Sequence, residues 1–288
     1  MTSTLFVAIG LAAALLPSLV AVALAGHSAE VYTKLLHPGL LVVSAALALW
    51  VALMYRSDLK RAFALLALFL FSYGVLNISA LHDPIKELLG SDPLHQQLNF
   101  LTLLLVWQVL TYVALLASCA FILRAVGVRR ISAKGLVFVT VAVVIGVLVI
   151  LKGIPTFREY YSVDPSHPLR PILTRFATSL LLIRIFDMAV FLALAPVMVV
   201  YFQSARARYQ ESTTFLIVVI GTVASLSLVY LYEIIKGIPL VEISQAEFEK
   251  GSVLDALYIF AYLMVAIGLF AHRMHQTWSL RKLEHALA

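Results

Sequence analysis

The chain has 288 residues, of which 62% are hydrophobic and only 12% charged, with a mean hydropathy of +0.99 and a net charge of +6. A soluble domain carries about 25% charged residues and needs a polar shell, so this composition excludes a water-exposed globular protein. The basic excess is scattered through short loops between apolar runs, so nucleic acid is excluded as a partner and the lipid bilayer is expected instead.

In lipid, every backbone N–H and C=O must be satisfied within the protein, which leaves helices or closed barrels as spanning structures. Barrel strands alternate apolar and polar residues. The run 136–151 is apolar on nearly every face, so the expected fold is all-α: a polytopic bundle of about eight transmembrane helices built of hairpins. A crossing takes roughly 20 apolar residues. Eight runs qualify in chain order: 4–26, 38–55, 62–81, 98–126, 136–155, 176–203, 213–238 and 254–275.

The first run has the Ala23-Leu24-Ala25 spacing of a signal-peptide cleavage site, which would leave seven spans. Its leading residues carry no positive side chain, and its apolar stretch exceeds the usual 7–15 residues, so a retained helix is favoured. The second run is the shortest and stops at Arg56. Between the third and fourth, Asp83-Pro84 and Asp92-Pro93 call for turns, and a short interfacial helix fits Ile85 to Leu89. The fourth run contains the single cysteine, Cys119, which is expected to be a small packing residue.

The fifth run ends in Lys152-Gly153-Ile154-Pro155, and the seventh in Lys236-Gly237-Ile238-Pro239. The echo suggests a duplicated two-helix hairpin; in both places Gly and Pro stop the helix. Residues 1–278 form one membrane domain. A tail of residues 279–288, with Leu280, Leu283 and Leu287 against Arg281, Lys282 and Glu284, suits an amphipathic cytoplasmic segment.

Orientation follows from the loops. One set holds 12 basic residues against three acids; the alternate set holds eight basic residues against ten acids. Basic residues collect on the cytoplasmic side, which places both termini in the cytoplasm and the longer, acidic loops outside.

Standard site signatures are absent: no Gly-rich phosphate loop, no paired-cysteine motif, no GxSxG elbow and no His-Glu-x-x-His. Histidines 27, 37, 82, 95 and 167 read as belonging to the outer loops and 272, 275 and 285 to the inner end, so no span is expected to hold the histidine pair of a b-type haem. His272 and His275 share a helix face and are the weak candidates for a metal, against the plainer reading of a polar helix end. Lys152 and Lys236 sit at span ends, where snorkelling explains them.

Charged and polar groups inside spans are costly and mark sites. The expected ligand-binding or charge network is Arg184 and Asp187 on the sixth span, Glu233 and Lys236 on the seventh, Gln108 on the fourth, Asn77 on the third and Lys152 at the end of the fifth. At about 1.5 Å per residue, Arg184 and Glu233 lie roughly 12 and 8 Å from the outer ends of their spans, with Gln108 and Asp187 near the midplane. Gly221, Ser225, Val229 and Glu233 form one i+4 row, whose small residues allow close helix contact and turn Glu233 inward. The competing explanation is a purely structural set of charges that fixes helix register. Tyr112, Tyr230, Tyr232 and Tyr258 would supply walls for a pocket.

The hairpin plan resembles the membrane portions of bacterial and archaeal sensor proteins. The resulting expectation is a non-catalytic membrane protein, receptor-like or a subunit of a larger complex. It binds a small or lipid-like ligand, such as a quinone, in the outer half of the bundle. Nothing after Trp278 is long enough for an output domain, so partner subunits or self-association are expected. The alternatives are a proton-coupled carrier titrating Asp187 and Glu233, and a lipid-modifying enzyme using Asp187, Glu233 and His82.

Overall fold

The computed structural model describes residues 3–24, 26–78, 81–89, 93–126, 166–167, 170–206, 210–236 and 253–287, with isolated positions between 137 and 147. Eight helices are described: α1 Ser3–Ala23, α2 Gly26–Ala52, α3 Ser57–Leu76, α4 His82–Leu88, α5 Pro93–Val126, α6 Arg170–Arg206, α7 Gln210–Lys236 and α8 Val253–Leu287. No strand occurs among the described residues.

Five stretches are long and apolar enough to cross a membrane: Lys34–Ala52, Ser57–Leu76, Leu98–Val126, Arg170–Gln203 and Ala256–Thr277. The protein is therefore a multi-pass helical bundle. The described apolar stretch of α7, Thr214–Leu228, is shorter. The expected span 136–155 and the KGIP segment that closes it lie outside the described residues, as does the second KGIP segment beyond Lys236.

Several boundaries differ from the sequence reading. Helix α2 begins at Gly26 and runs through Pro38, which had been taken as a start. A proline inside a membrane helix is tolerated where neighbouring groups compensate for the lost N–H. Just past the proline α3 packs closely on α2: a Cβ on Gly74 would lie 3.1 Å from Leu41 Cβ and 3.5 Å from the Pro38 carbonyl oxygen. Helix α3 starts at Ser57 and stops at Asn77, whose backbone N–H and side-chain amide both reach the Tyr73 carbonyl, at 3.3 and 2.7 Å. The short helix α4, His82–Leu88, overlaps the short helix expected from Ile85 to Leu89. Helix α8 continues without a break to Leu287, through the segment expected as a separate tail.

The helices close into a ring. α2 packs on α3, α3 on α5, α5 on α6, α6 on α7, α7 on α8, and α8 back on α2; α1 lies against α8. Since nearly every side chain is apolar, hydrophobicity cannot choose which face turns inward. Packing chooses: small residues let helices approach, and bulky ones go to lipid. On α2 the buried row is Leu41, Ser44, Ala45, Ala48 and Ala52, while Leu49, Trp50 and Leu53 are exposed. On α5, Thr111, Ala114, Ser118 and Cys119 are buried, while Val106, Leu110 and Val113 face out.

Two ends can be told apart. Arg56, Lys60, Arg61 and Arg124 are exposed at one, here termed the basic end. There Asp58 bonds Arg124 at 3.1 Å and Arg61 at 3.6 Å, tying the start of α3 to the end of α5. A buried bond from Ser118 Oγ to the Ala62 carbonyl, 2.8 Å, continues the same seam inward.

Candidate functional site

The polar groups of the core form two sets, one in the middle of the bundle and one at the basic end. The middle set starts from α6. Arg184 and Asp187 stand three residues apart on one helical face, with 7% and 9% of their surface exposed. Both are enclosed by protein. The middle of their helix is otherwise apolar, so a shared inward face is the arrangement that avoids placing ions against lipid.

Helix α5 brings Gln108 and Tyr112, one turn apart, to the same place. The Gln108 side-chain amide donates to the Tyr112 hydroxyl at 3.3 Å. That hydroxyl in turn donates to the Asp187 carboxylate. Helices α3 and α8 add a second pair: the Tyr262 hydroxyl donates to the Tyr73 oxygen, and Tyr73 lies within electrostatic reach of Asp187. Helix α2 contributes His37, whose ring lies 5.6 Å from that of Tyr262 and 5.9 Å from that of Tyr258. The carboxylate of α6 is thus approached by phenols and an amide from α3, α5 and α8, with the His37 ring of α2 behind the α8 tyrosines.

The second set surrounds His272. It is 5% exposed and lies inside the span Ala256–Thr277, not at a wet helix end as read from the sequence. His37 likewise lies within α2, inside the span Lys34–Ala52, not in a loop. Both were placed in a loop or at a wet helix end by the sequence reading, and both lie inside spans, near their ends. The two histidines lie toward opposite ends of α8's contacts: His37 beside Tyr258 and Tyr262, and His272 beside Tyr55, Phe63 and Phe215 at the start of α7.

Both ring nitrogens of His272 are engaged. Nε2 is 2.7 Å from the Tyr55 hydroxyl and Nδ1 is 3.0 Å from Thr214 Oγ1. The Gln276 amide donates to the same Tyr55 oxygen at 3.1 Å. One assignment uses each hydrogen once: Gln276 to Tyr55, Tyr55 to Nε2, and Nδ1–H to Thr214. A histidine held in this way offers no lone pair to a metal. Among the described residues, no group of three or more His, Cys, Asp or Glu side chains is placed to hold one.

Of the residues singled out in the sequence, Gln108 and Asp187 are joined through Tyr112, and Arg184 is buried three residues before Asp187 on α6. Asn77 is used locally to close α3. Glu233 and Lys236 lie on α7, but their side chains are outside the described residues, as is Lys152 altogether. His275, three residues beyond His272, is half-buried. The sequence reading missed Tyr73, Tyr262 and His37. A signal was available: Tyr258 and Tyr262 are spaced i, i+4 on one face of an otherwise apolar helix.

Compared with models of known families, with characterised proteins and with solved structures, the chain matches none.

Proposed function

We propose that this protein is a non-catalytic membrane protein, a receptor-like unit or a subunit of a larger assembly. It binds a small lipid-like ligand with a polar head, such as a quinone, in the outer half of the bundle. One observation carries the reading: a carboxylate enclosed by the helix ring, Asp187, reached by the Gln108–Tyr112 hydrogen-bonded string. Burying a carboxylate in a bilayer costs several kcal/mol, a cost that a register-fixing role can meet with apolar side chains instead.

The donors and acceptors suit such a head. A quinone ring presents two carbonyl acceptors, and Tyr73, Tyr112, Gln108 and Arg184 are all donor-bearing side chains. The reduced ring presents two hydroxyl donors, for which Asp187 is the acceptor. No hydrolytic or metal chemistry is invoked. The orientation that supports this reading is the one set by the basic loops, with both termini cytoplasmic and Tyr258 toward the outer face.

The test is mass spectrometry of gently solubilised protein, looking for retained ligand and partner chains together. A retained polar-headed lipid that is lost in Asp187→Asn and in Tyr112→Phe supports the site. Wild-type protein that carries no ligand and takes none up removes it. Transport of a solute by the protein in vesicles, abolished by Asp187→Asn together with Glu233→Gln, would replace binding by a proton-coupled carrier.

A further inference from the structure

A second feature shares the helices of that site. On the lipid-facing side of the α3–α5 seam lies a groove of about 500 Å³, lined by residues that include Leu68, Ser72, Trp107, Leu110, Thr111 and Ala114. Its rim residues Leu68, Leu110 and Trp107 are exposed, whereas Thr111 and Ala114 on its floor are buried. The groove starts next to the Ser118–Ala62 bond that closes the seam, and runs outward along α5 from Ala117 to Trp107, about 15 Å.

Its position relative to the polar set decides what it holds. Ser72 and Thr111 line the groove, and the next residues in the chain, Tyr73 and Tyr112, belong to the hydrogen-bonded set around Asp187. Trp107 and Gln108 are divided in the same way. Two helices therefore carry an apolar trough on one face and hydroxyl and amide groups on the other, at the same depth. The trough lies within the spans Ser57–Leu76 and Leu98–Val126, so only hydrocarbon can reach it from outside.

We infer that the α3–α5 groove holds the hydrocarbon tail of the ligand whose polar head is bound at Asp187 and Tyr112, so that the ligand class is a single-tailed ring lipid of the quinone type. This rests on the binding reading given above. The tail lies along the groove, and the head lies at the level of Thr111 and Ser72.

The experiment compares a benzoquinone carrying a decyl chain with the same ring lacking the chain. Binding to the full-length protein in detergent is read by native mass spectrometry. In the wild type the chain strengthens binding severalfold through van der Waals packing in the groove, since the chain is surrounded by hydrocarbon whether bound or free. Ala114→Phe fills the floor; it removes that gain while the tail-less ring still binds. Leu110→Ala replaces an exposed rim residue that the fold does not need, and it reduces the gain in part. If the chain confers the same gain in both variants as in the wild type, the groove is not the tail site and the inference falls. Asp187→Asn tests the head separately: tail-less ring binding that survives it overturns the head site while leaving the groove to be judged by its own variants. A wild-type protein that binds neither quinone overturns both.

Discussion

Gly221 on α7 faces α8 so closely that a Cβ at that position would lie 2.8 Å from the Ala261 carbonyl oxygen. The contact is reciprocal. A Cβ on Gly268 of α8 would lie 2.8 Å from Val218 Cγ2 and 3.0 Å from the Thr214 carbonyl oxygen. Without side chains at these two points, the helices approach to backbone distance, and dispersion over the whole interface replaces the hydrophobic drive that lipid does not supply. Gly221→Ala and Gly268→Ala should each force the backbones apart and destabilise the protein by about 1–3 kcal/mol. Gly39 is the control, since a Cβ there meets nothing within 4 Å. Gly39→Ala should be neutral or stabilise by about 0.5–1 kcal/mol through helix propensity alone. Unfolding in a series of sodium dodecyl sulfate fractions ranks the three; equal behaviour of Gly39 and Gly221 would contradict the crossing.

The Ser118–Ala62 bond joins α5 to α3 where both are buried. Hydrogen bonds between membrane helices average about 0.6 kcal/mol by double-mutant cycles, because the separated helices find other partners. Ser118→Ala should therefore lower stability by about that amount and leave oligomeric state unchanged. Ser118→Val keeps the deletion but adds volume at a tight seam, so it should cost more than alanine does. A smaller loss for valine than for alanine would show that the seam is looser than described.

At the basic end, His272 connects the turn after α2 to the start of α7 through Tyr55 and Thr214. Tyr55→Phe keeps the ring that stacks on Phe63 at 5.5 Å but removes the hydroxyl shared with Gln276 and His272. The expected loss is about 0.5–1.5 kcal/mol. His272→Ala removes both hydrogen bonds and leaves a hole among Phe63, Phe215 and Tyr55; a loss of about 3 kcal/mol or more is expected, on the scale of an aromatic truncated in a packed core. Because the two residues touch, their effects should not add, and the double variant should be less destabilised than the sum. Strict additivity would mean that the 2.7 Å bond contributes nothing.

Much of the bundle was legible because a membrane helix announces itself by length and apolar content, and α3, α5, α6 and α8 all do so. Helix α2 was started too late in the sequence reading, at residue 38, because the residues before it include Glu30, Lys34 and His37, although the helix runs from Gly26. The inside–outside sorting of side chains was less visible. In a uniformly apolar helix it depends on size, so Ala48 and Leu49 are assigned to opposite faces only once the neighbouring helix is known. Arg184, Asp187 and Gln108 stood out by chemistry. Tyr73, Tyr262 and His37 did not, since tyrosine and histidine near span ends have an ordinary interfacial explanation that overrides the helical spacing.

Helices α5 and α6 are neighbours that run in the same direction. The end of α5 is held at the basic end by the Arg124–Asp58 pair, and the end of α6 is at the same level, since Tyr201 packs on Phe215 at 4.4 Å and Phe215 on Phe63 at 5.3 Å. Helix α6 therefore begins at the opposite end from the one where α5 stops. The intervening chain, 127–169, joins the two ends, and it contains the apolar run 136–155. The expectation read from the sequence, one span at 136–155, is the simplest connection between two such ends. Single cysteines at Lys134→Cys and Arg158→Cys, introduced with Cys119→Ala to remove the native thiol, should react with a membrane-impermeant maleimide from opposite sides in oriented vesicles, with position 134 labelled from the cytoplasmic side. Labelling of both from one side would overturn the assignment of 136–155 as a span.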